Sequence, residues 1–472
     1  MKRFLTLLAV VLTLTAALTI TASASDFDDV ADDLAAIGMF RGTAAGYELD
    51  RAPKRSEAAI MLVRLYGAEG TAKAAYEAGA ISHPFTDVSP TASPAVAWLY
   101  TNGITKGTTA TTFGSAQPCS ARMYCAFLLR ALGYEDGKDF RYLDCLSFAK
   151  EKGFYDPTLF AGDFLRDDLA ALTYQGLAAD LADGSTYLLD SLIDSGAIDA
   201  KAAAPMTKTI EAYRAMEAAT ADMDDSAMEM DIDMTMNMKS SVESLGLQIE
   251  TTTESRGTMA MRVNEEKKSQ PEMAYIMDAK TDGIDMIVST WMKDGWIYQS
   301  VESDGEKLLY KQAVDEEMDA MDEVGIVEPS AMDVSGLAMI ESITQEKLGS
   351  SIIYTMVIRE NLGGAMAGAM EIAALDEELN VEYSPIQIIY TTTRSGQLKK
   401  MQMLFSASVE SLIPVDDAGN AVPMVMEYDY DMLMTIKETG DDVVIVWPDF
   451  TQFPELSADG TLVNPSENVT SF

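Results

Sequence analysis

The sequence predicts a multidomain protein: an all-α block of stacked repeats, then an α+β domain built on a curved antiparallel sheet. Three observations predict it. Through residues 26–200 the apolar residues recur with helical period, Leu62, Leu65 and Tyr66 sharing a stripe with Ala58, and Leu128, Leu129 and Leu132 with Tyr124. From about residue 226 the period changes to two, and Met and Thr become abundant. The first regime also repeats itself imperfectly. A length of 472 residues is enough for two or three domains with cores of their own.

Residues 1–25 read as a signal peptide. Lys2 and Arg3 give a positive start, Phe4 to Ile20 is apolar apart from threonines, and Ala22-Ser23-Ala24 fits a cleavage site. No Cys follows the apolar stretch, so a lipid anchor is not expected, and no later stretch is long enough to span a bilayer. The formal net charge of −41 argues against nucleic acid as a partner, because phosphate contacts need clustered Lys and Arg. Three cysteines, Cys119, Cys125 and Cys145, are too few and odd in number for a disulfide framework; their apolar neighbours mark buried free thiols.

The repeat can be followed residue by residue. One copy carries Gly38 to Gly42, Tyr47-Glu48-Leu49-Asp50, Pro53-Lys54-Arg55-Ser56-Glu57 and a helix ending Leu65-Tyr66-Gly67. The next carries Phe85-Thr86-Asp87-Val88, Trp98, Gly103-Ile104-Thr105-Lys106-Gly107, Phe113-Gly114, Pro118 to Arg122 and a helix ending Leu132-Gly133-Tyr134. A third carries Tyr142-Leu143-Asp144, Gly153, Phe164-Leu165-Arg166-Asp167-Asp168 and the apolar helix Leu169 to Leu177. A unit this short cannot bury its own apolar face, so neighbouring units must stack.

These residues resemble the S-layer homology domain over about 26–200. The marks are the Phe-x-Asp-Val opening (Phe27 to Val30, Phe85 to Val88), the Gly-Ile-x-x-Gly turn, and the basic–acidic start of the closing helix at Arg55 and Arg166. The resemblance implies a three-pronged spindle of three repeats at 26–82, 83–138 and 139–200. It also implies non-covalent attachment to an acidic, often pyruvylated, secondary cell-wall polysaccharide bound in grooves between prongs, with the motif arginine on the sugar acid. A guanidinium fork matches a carboxylate in geometry. Arg55 and Arg166 fall on that position. In the second repeat Ala121 falls there and Arg122 one place later, a rotation of roughly 100° on a helix. Asp29, Asp87, Asp144 and Trp98 complete the candidate sugar contacts. Each has a plainer reading: the aspartates as caps of the first helix of each repeat, Trp98 as core, and both arginines as partners of neighbouring acids such as Glu57 or Asp167.

Residues 201–225 read as a linker with helical character. Beyond it, residues 226–472 alternate. Met228, Met230, Ile232, Met234, Met236 and Met238 interleave with Glu229, Asp231, Asp233, Thr235 and Asn237; Met424 to Ile436 does the same around Met426 and Tyr428. Further strands are expected at Leu247–Thr253, Thr258–Val263, Met273–Asp278, Met286–Thr290, Trp296–Val301, Ile352–Ile358, Ile386–Thr392, Met401–Ser406 and Val443–Trp447, and helices at about 313–322 and 365–379. This pattern, with the Lys293–Tyr298 hairpin, resembles the LolA-like lipoprotein-carrier fold, a half-open barrel that holds acyl chains. The implied ligand is a lipid or other apolar molecule on a pocket of Met230, Met234, Met426 and Tyr428, since Met adapts to irregular apolar surfaces; the alternative is an ordinary core face. Copper binding by the thioethers lacks a His or Cys to complete it.

The one histidine is His83, and the second half has neither His nor Cys. That excludes His-dependent triads, Cys nucleophiles and His-ligated zinc there. No phosphate loop or dinucleotide fingerprint occurs, so no cofactor, metal site or catalytic residue is expected. The reading is a wall-attached binding protein rather than an enzyme; the alternative is a wall-anchored glycan-active enzyme using paired carboxylates.

Overall fold

The computed structural model describes residues 27–456 and 462–463, apart from 44, 158, 161–162, 221–225, 243–245, 263–271, 282–283, 314–333, 360–379 and 415–420. The expected signal peptide and both expected helices of the second half lie outside the described residues, except Ala313, which ends a strand. Among the described residues no helix is long and apolar enough to cross a membrane. The chain forms two compact units, one of residues 24–214 with 332–341 and one of 215–331 with 342–472.

The first unit is helical: α1 (Asp28–Ala36), α2 (Arg55–Leu65), α3 (Glu69–Glu77), α4 (Ser93–Thr101), α5 (Ala121–Ala131), α6 (Cys145–Glu151), α7 (Arg166–Ala178), α8 (Leu188–Asp194) and the start of α9 (Ala200–Thr220). The segment expected to be a linker is therefore mostly helix. Its apolar face, Ala203, Met206, Ile210 and Tyr213, recurs every three to four residues and is buried.

Helix α7 has no solvent face. Every residue in it except Asp168 is buried, the polar Arg166, Asp167, Thr173 and Gln175 included. Its polar residues must then find partners inside, and Thr173 meets the Tyr124 hydroxyl at 2.6 Å and bonds to Leu169 O. Gly176 lets α5 approach: a Cβ there would stand 2.7 Å from Leu128 Cδ2. A short 3-10 turn from much later in the chain, Val334–Met339, packs against the same helix, and its Leu337 and Ala338 are wholly buried. A second cluster gathers Leu62, Val63, Phe85, Val96, Leu99 and Phe113. All three cysteines are free and buried, and burial pushes the Cys119 thiol up to about 12.

The second unit is one open, almost wholly antiparallel sheet. In chain order its strands are β1 (Ala227–Val242), β2 (Leu247–Arg262), β3 (Glu272–Thr281), β4 (Ile284–Lys293), β5 (Trp296–Ser303), β6 (Glu306–Ala313), β7 (Ile340–Leu348), β8 (Ser351–Ile358), β9 (Asn380–Tyr383), β10 (Gln387–Thr393), β11 (Leu398–Pro414), β12 (Ala421–Thr439), β13 (Glu455–Leu456) and β14 (Leu462–Val463). Their spatial order is β14-β13-β6-β5-β4-β3-β2-β1-β12-β11-β10-β8-β7, with β9 on β11, so β1 pairs with a strand nearly 200 residues away.

The even-numbered residues of β1 share one face. Register extends that face as a row: Met228 stands opposite Met261, Met261 opposite Met273, Met273 opposite Met292, and Met292 opposite Ile297. All five side chains are buried. The opposite face carries Glu229, Asp231 and Asp233, with Lys437 on Asp231 at 2.9 Å and Arg256 on Asp233 at 3.0 Å.

Two strand expectations need correction. The expected Leu247–Thr253 and Thr258–Val263 join in one continuous strand, Leu247–Arg262, Val263 lying outside the described residues, because Gly257 marks close approach rather than a break: its Cβ would meet Ile276 O at 2.7 Å. Val443–Trp447 is extended but makes no ladder. It runs over the face of the sheet opposite the methionine row, and Ile445 and Trp447 pack with Trp291, Tyr298 and Phe453, leaving Val444 and Val446 exposed.

Candidate functional site

Three helix N-termini carry the motif positions. Arg55 is the first residue of α2, Arg166 the first of α7, and Ala121 the first of α5, which leaves Arg122 second. The three starts are capped in two ways. Glu57 and Asp168, three positions past the cap, reach back to Lys54 N and Leu165 N, both at 2.7 Å, while Ser120 Oγ accepts Met123 N at 3.3 Å.

Helices α2 and α7 are each seated on a loop from another part of the unit. Arg55 N and Ser56 N bond to Gln117 O and Ser115 O; Arg166 N and Asp167 N bond to Arg51 O and Leu49 O. The same loops offer an aromatic ring to the side chain, Phe113 at 5.0 Å from the Arg55 guanidinium and Phe40 at 4.8 Å from that of Arg166.

The two arginines then part. Arg166 is nearly enclosed, its side chain 5% exposed, and its donors are committed: Nε to Tyr47 O at 2.8 Å and Nη1 to Glu57 Oε2 at 3.3 Å. Burial lowers its affinity for a proton and the Glu57 charge restores part of it. Glu57 is also gripped by both terminal nitrogens of Arg51, at 2.7 and 3.0 Å. Burial alone would raise the Glu57 carboxyl, but the Arg51 bonds, the Lys54 N–H and the Arg166 charge outweigh it and hold it below the usual carboxylate range.

Arg55 has no carboxylate among the described residues. Its Nη1 lies 3.7 Å from Met123 Sδ, and its Nε is buried with no acceptor among the described residues. A guanidinium at a helix N-terminus, unfavourable to the helix dipole and lacking an acid, is short of an anion. Arg122 is exposed on the residue before Met123.

The remaining candidates are spread out. Asp87 accepts three backbone N–H groups, Phe113 at 2.7 Å, Gly114 at 2.8 Å and Ser115 at 3.0 Å. Desolvation works against its charge, but those three bonds hold it below the usual carboxylate range. It clamps the loop beneath Arg55 and caps no helix. Asp29 is exposed in the first turn of α1, where its charge suits the dipole. Asp144 pairs with Arg141 at 2.8 Å on the surface and makes no side-chain cap to α6. Trp98 is half-buried and packs against Tyr66 at 5.4 Å. Sequence reading passed over Phe113 and Met123 as contacts of Arg55; the Phe113-Gly114 turn, already visible in the repeat, was the available signal.

On the sheet, Met230 and Met234 are buried in β1, opposite Ile436 and Met432 of β12. Met426 and Tyr428 lie further along β12, half-buried, with the Tyr428 hydroxyl 3.3 Å from Met426 Sδ. They share the methionine face but stand nearer the β1–β2 hairpin end, where Leu247 and Ile249 on that face are 55% and 61% exposed. Among the described residues no group of three His, Cys, Asp or Glu is placed to hold a metal.

Residues 84–120 match the family model of the S-layer homology domain. The matched S-layer homology segment holds the Asp87 clamp, the Phe113 ring and the loop carbonyls that seat Arg55, and stops just before α5. It supports attachment to the cell wall in general and a wall-associated position at the cell surface. No curated protein matches the chain. Among solved structures, a DUF1329 family protein from Desulfovibrio piger aligns over 50% of this chain and 95% of its own, at 10% identity and a TM-score of 0.16, a likeness too slight to define the fold of the sheet unit.

Proposed function

We propose that the helical unit holds the chain non-covalently on the cell wall by binding an acidic secondary cell-wall polysaccharide at Arg55. The observation that carries this reading is the contrast between the two motif arginines. Arg166 is satisfied within the fold, whereas Arg55 is positioned by a loop and a ring and has no acid among the described residues. A pyruvyl ketal, a carboxylate held rigidly on a sugar ring, would supply both the missing charge and paired acceptors for a planar fork. Arg122 is the second cation of this site, and Arg166 shapes the unit from inside. In this reading the unit comprises repeats at 26–82, 83–138 and 139–200, and the protein is a binding protein, not an enzyme.

The sheet unit, in the same proposal, displays a site for a lipid or other apolar ligand along the face of Met230, Met234, Met426 and Tyr428. Met and Tyr side chains form a polarizable surface that adapts to an irregular chain, and the face becomes exposed toward Leu247 and Ile249.

Both halves are tested on the full chain. Sedimentation with purified wall sacculi should pull down the wild type, and sacculi stripped of secondary polymer should not; equal binding to both sinks the polymer reading. Mass spectrometry of an organic extract of the purified protein should return a stoichiometric apolar compound. A folded protein that yields none removes the ligand and leaves a display role.

A further inference from the structure

His83 sits in the joint just before the matched segment. Its ring is stacked between Tyr76 of α3, with centroids 6.4 Å apart and planes 10° apart, and Phe85, at 5.6 Å and 18°. The backbone N–H of Phe85 donates to His83 Nδ1 at 3.2 Å. Nδ1 is therefore the bare nitrogen, and the neutral ring carries its proton on Nε2. Nε2 is buried and has no partner among the described residues. Burial holds the imidazole below its ordinary range, and the charge of Asp87 works weakly the other way. Tyr76 is the titratable group stacked on the ring; Tyr100 of α4 meets Phe85 edge-on instead, at 5.3 Å.

What His83 touches leads to Arg55 by direct contacts. Phe85 packs on Phe113 at 5.8 Å, and Asp87 clamps the backbone of Phe113, Gly114 and Ser115. Ser115 O and Gln117 O of that loop receive Ser56 N and Arg55 N, and Phe113 lies against the guanidinium.

We propose that His83 is an acid-sensitive latch on the loop that seats Arg55. A proton taken from solvent onto Nδ1 sets donor against donor at the Phe85 N–H and breaks that bond. The broken bond, and the cost of a buried charge whose Nε2 has no acceptor among the described residues, outweigh the attraction of the cation to the two rings, so the ring leaves the stack, and the packing of Phe85 on Phe113 loosens with it. The wall polymer is then held less tightly in acid than at neutral pH, a consequence that rests on the reading of Arg55 above.

The test is amide hydrogen exchange of the full chain at about pH 7.5 and about pH 5.5, corrected for the intrinsic rate, with the wild type and His83→Gln. The Gln oxygen accepts from Phe85 N without titrating. Protection of Phe85, Phe113 and Gly114 should fall roughly five-fold in acid in the wild type alone, the worth of one hydrogen bond of about 1 kcal/mol. Unchanged protection in the wild type, or the same loss in both proteins, overturns the latch. Should His83→Gln not fold, an NMR titration of the wild type decides: the His83 ring and the Phe113 amide must shift with one midpoint, and two separate midpoints overturn it. Sacculus binding at both pH values separates the two readings, because absence of binding at about pH 7.5 sinks the polymer site while the amides still decide the latch.

Discussion

Arg55 lies 5.0 Å from the centre of the Phe113 ring, on a loop that a single carboxylate, Asp87, holds by three backbone N–H groups. The guanidinium itself touches Met123 and Phe113 and meets no carboxylate among the described residues, so its charge is left available.

Replacing Arg55 by Ala should abolish sedimentation with sacculi while changing stability little. The loss in the fold is one cation–π contact, worth about 0.5–1 kcal/mol where it is solvent-accessible. Chemical denaturation of the same protein shows whether lost binding comes from a lost fold.

Arg166→Ala should do the reverse. It strips Glu57 and Tyr47 O of a donor inside a nearly closed site, at a cost of about 2–4 kcal/mol in unfolding free energy. A variant that unfolds at the wild-type denaturant concentration would show that Arg166 is not structural.

Acid should weaken the helical unit through Glu57. Its carboxyl is held below the usual range, so it contributes stability above the unfolded-state value that is lost as pH falls through the lower, folded-state value. Thermal unfolding followed downward from about pH 6 should show a steeper fall for the wild type than for Glu57→Gln. Parallel curves would remove the carboxylate from the account.

Gly257→Val should open the β2–β3 ladder, since its side chain is built into the carbonyl of Ile276. The expected cost is about 1–3 kcal/mol, with loss of amide protection from Thr258 to Ala260 first. Full protection there would show that the strands can move apart freely.

Much of the architecture was legible. Period 3.6 gave the helices, and alternation at Met228–Met238 gave a strand with one apolar face, because burial on one side imposes those periods directly. The N1 positions of Arg55 and Arg166, and the offset at Arg122, were also readable from the motif. What separates the two arginines was not. Arg51, Tyr47 and Glu57 meet Arg166 across more than 100 residues of chain, and nothing in local pattern reports such a meeting. Val443–Trp447 misled for a related reason: inward Ile445 and Trp447 alternate with outward valines, which is a strand's signature, while the ladder partner that makes a strand is a property of the fold. Gly257 reads alike as a break or as a close approach until its neighbour is known.

The turn Val334–Met339, seated on α7, bears on how the protein could be shed. The polypeptide passes from the helical unit to the sheet unit after residue 214, returns to the helical unit for 332–341, and goes back to the sheet unit. A protease that nicks the first passage severs one polypeptide into two, yet the downstream piece still carries Leu337 and Ala338 buried against α7. If the chain is wall-bound as proposed, release of the sheet unit by proteolysis is therefore a two-event process: a cut, and then extraction of that turn.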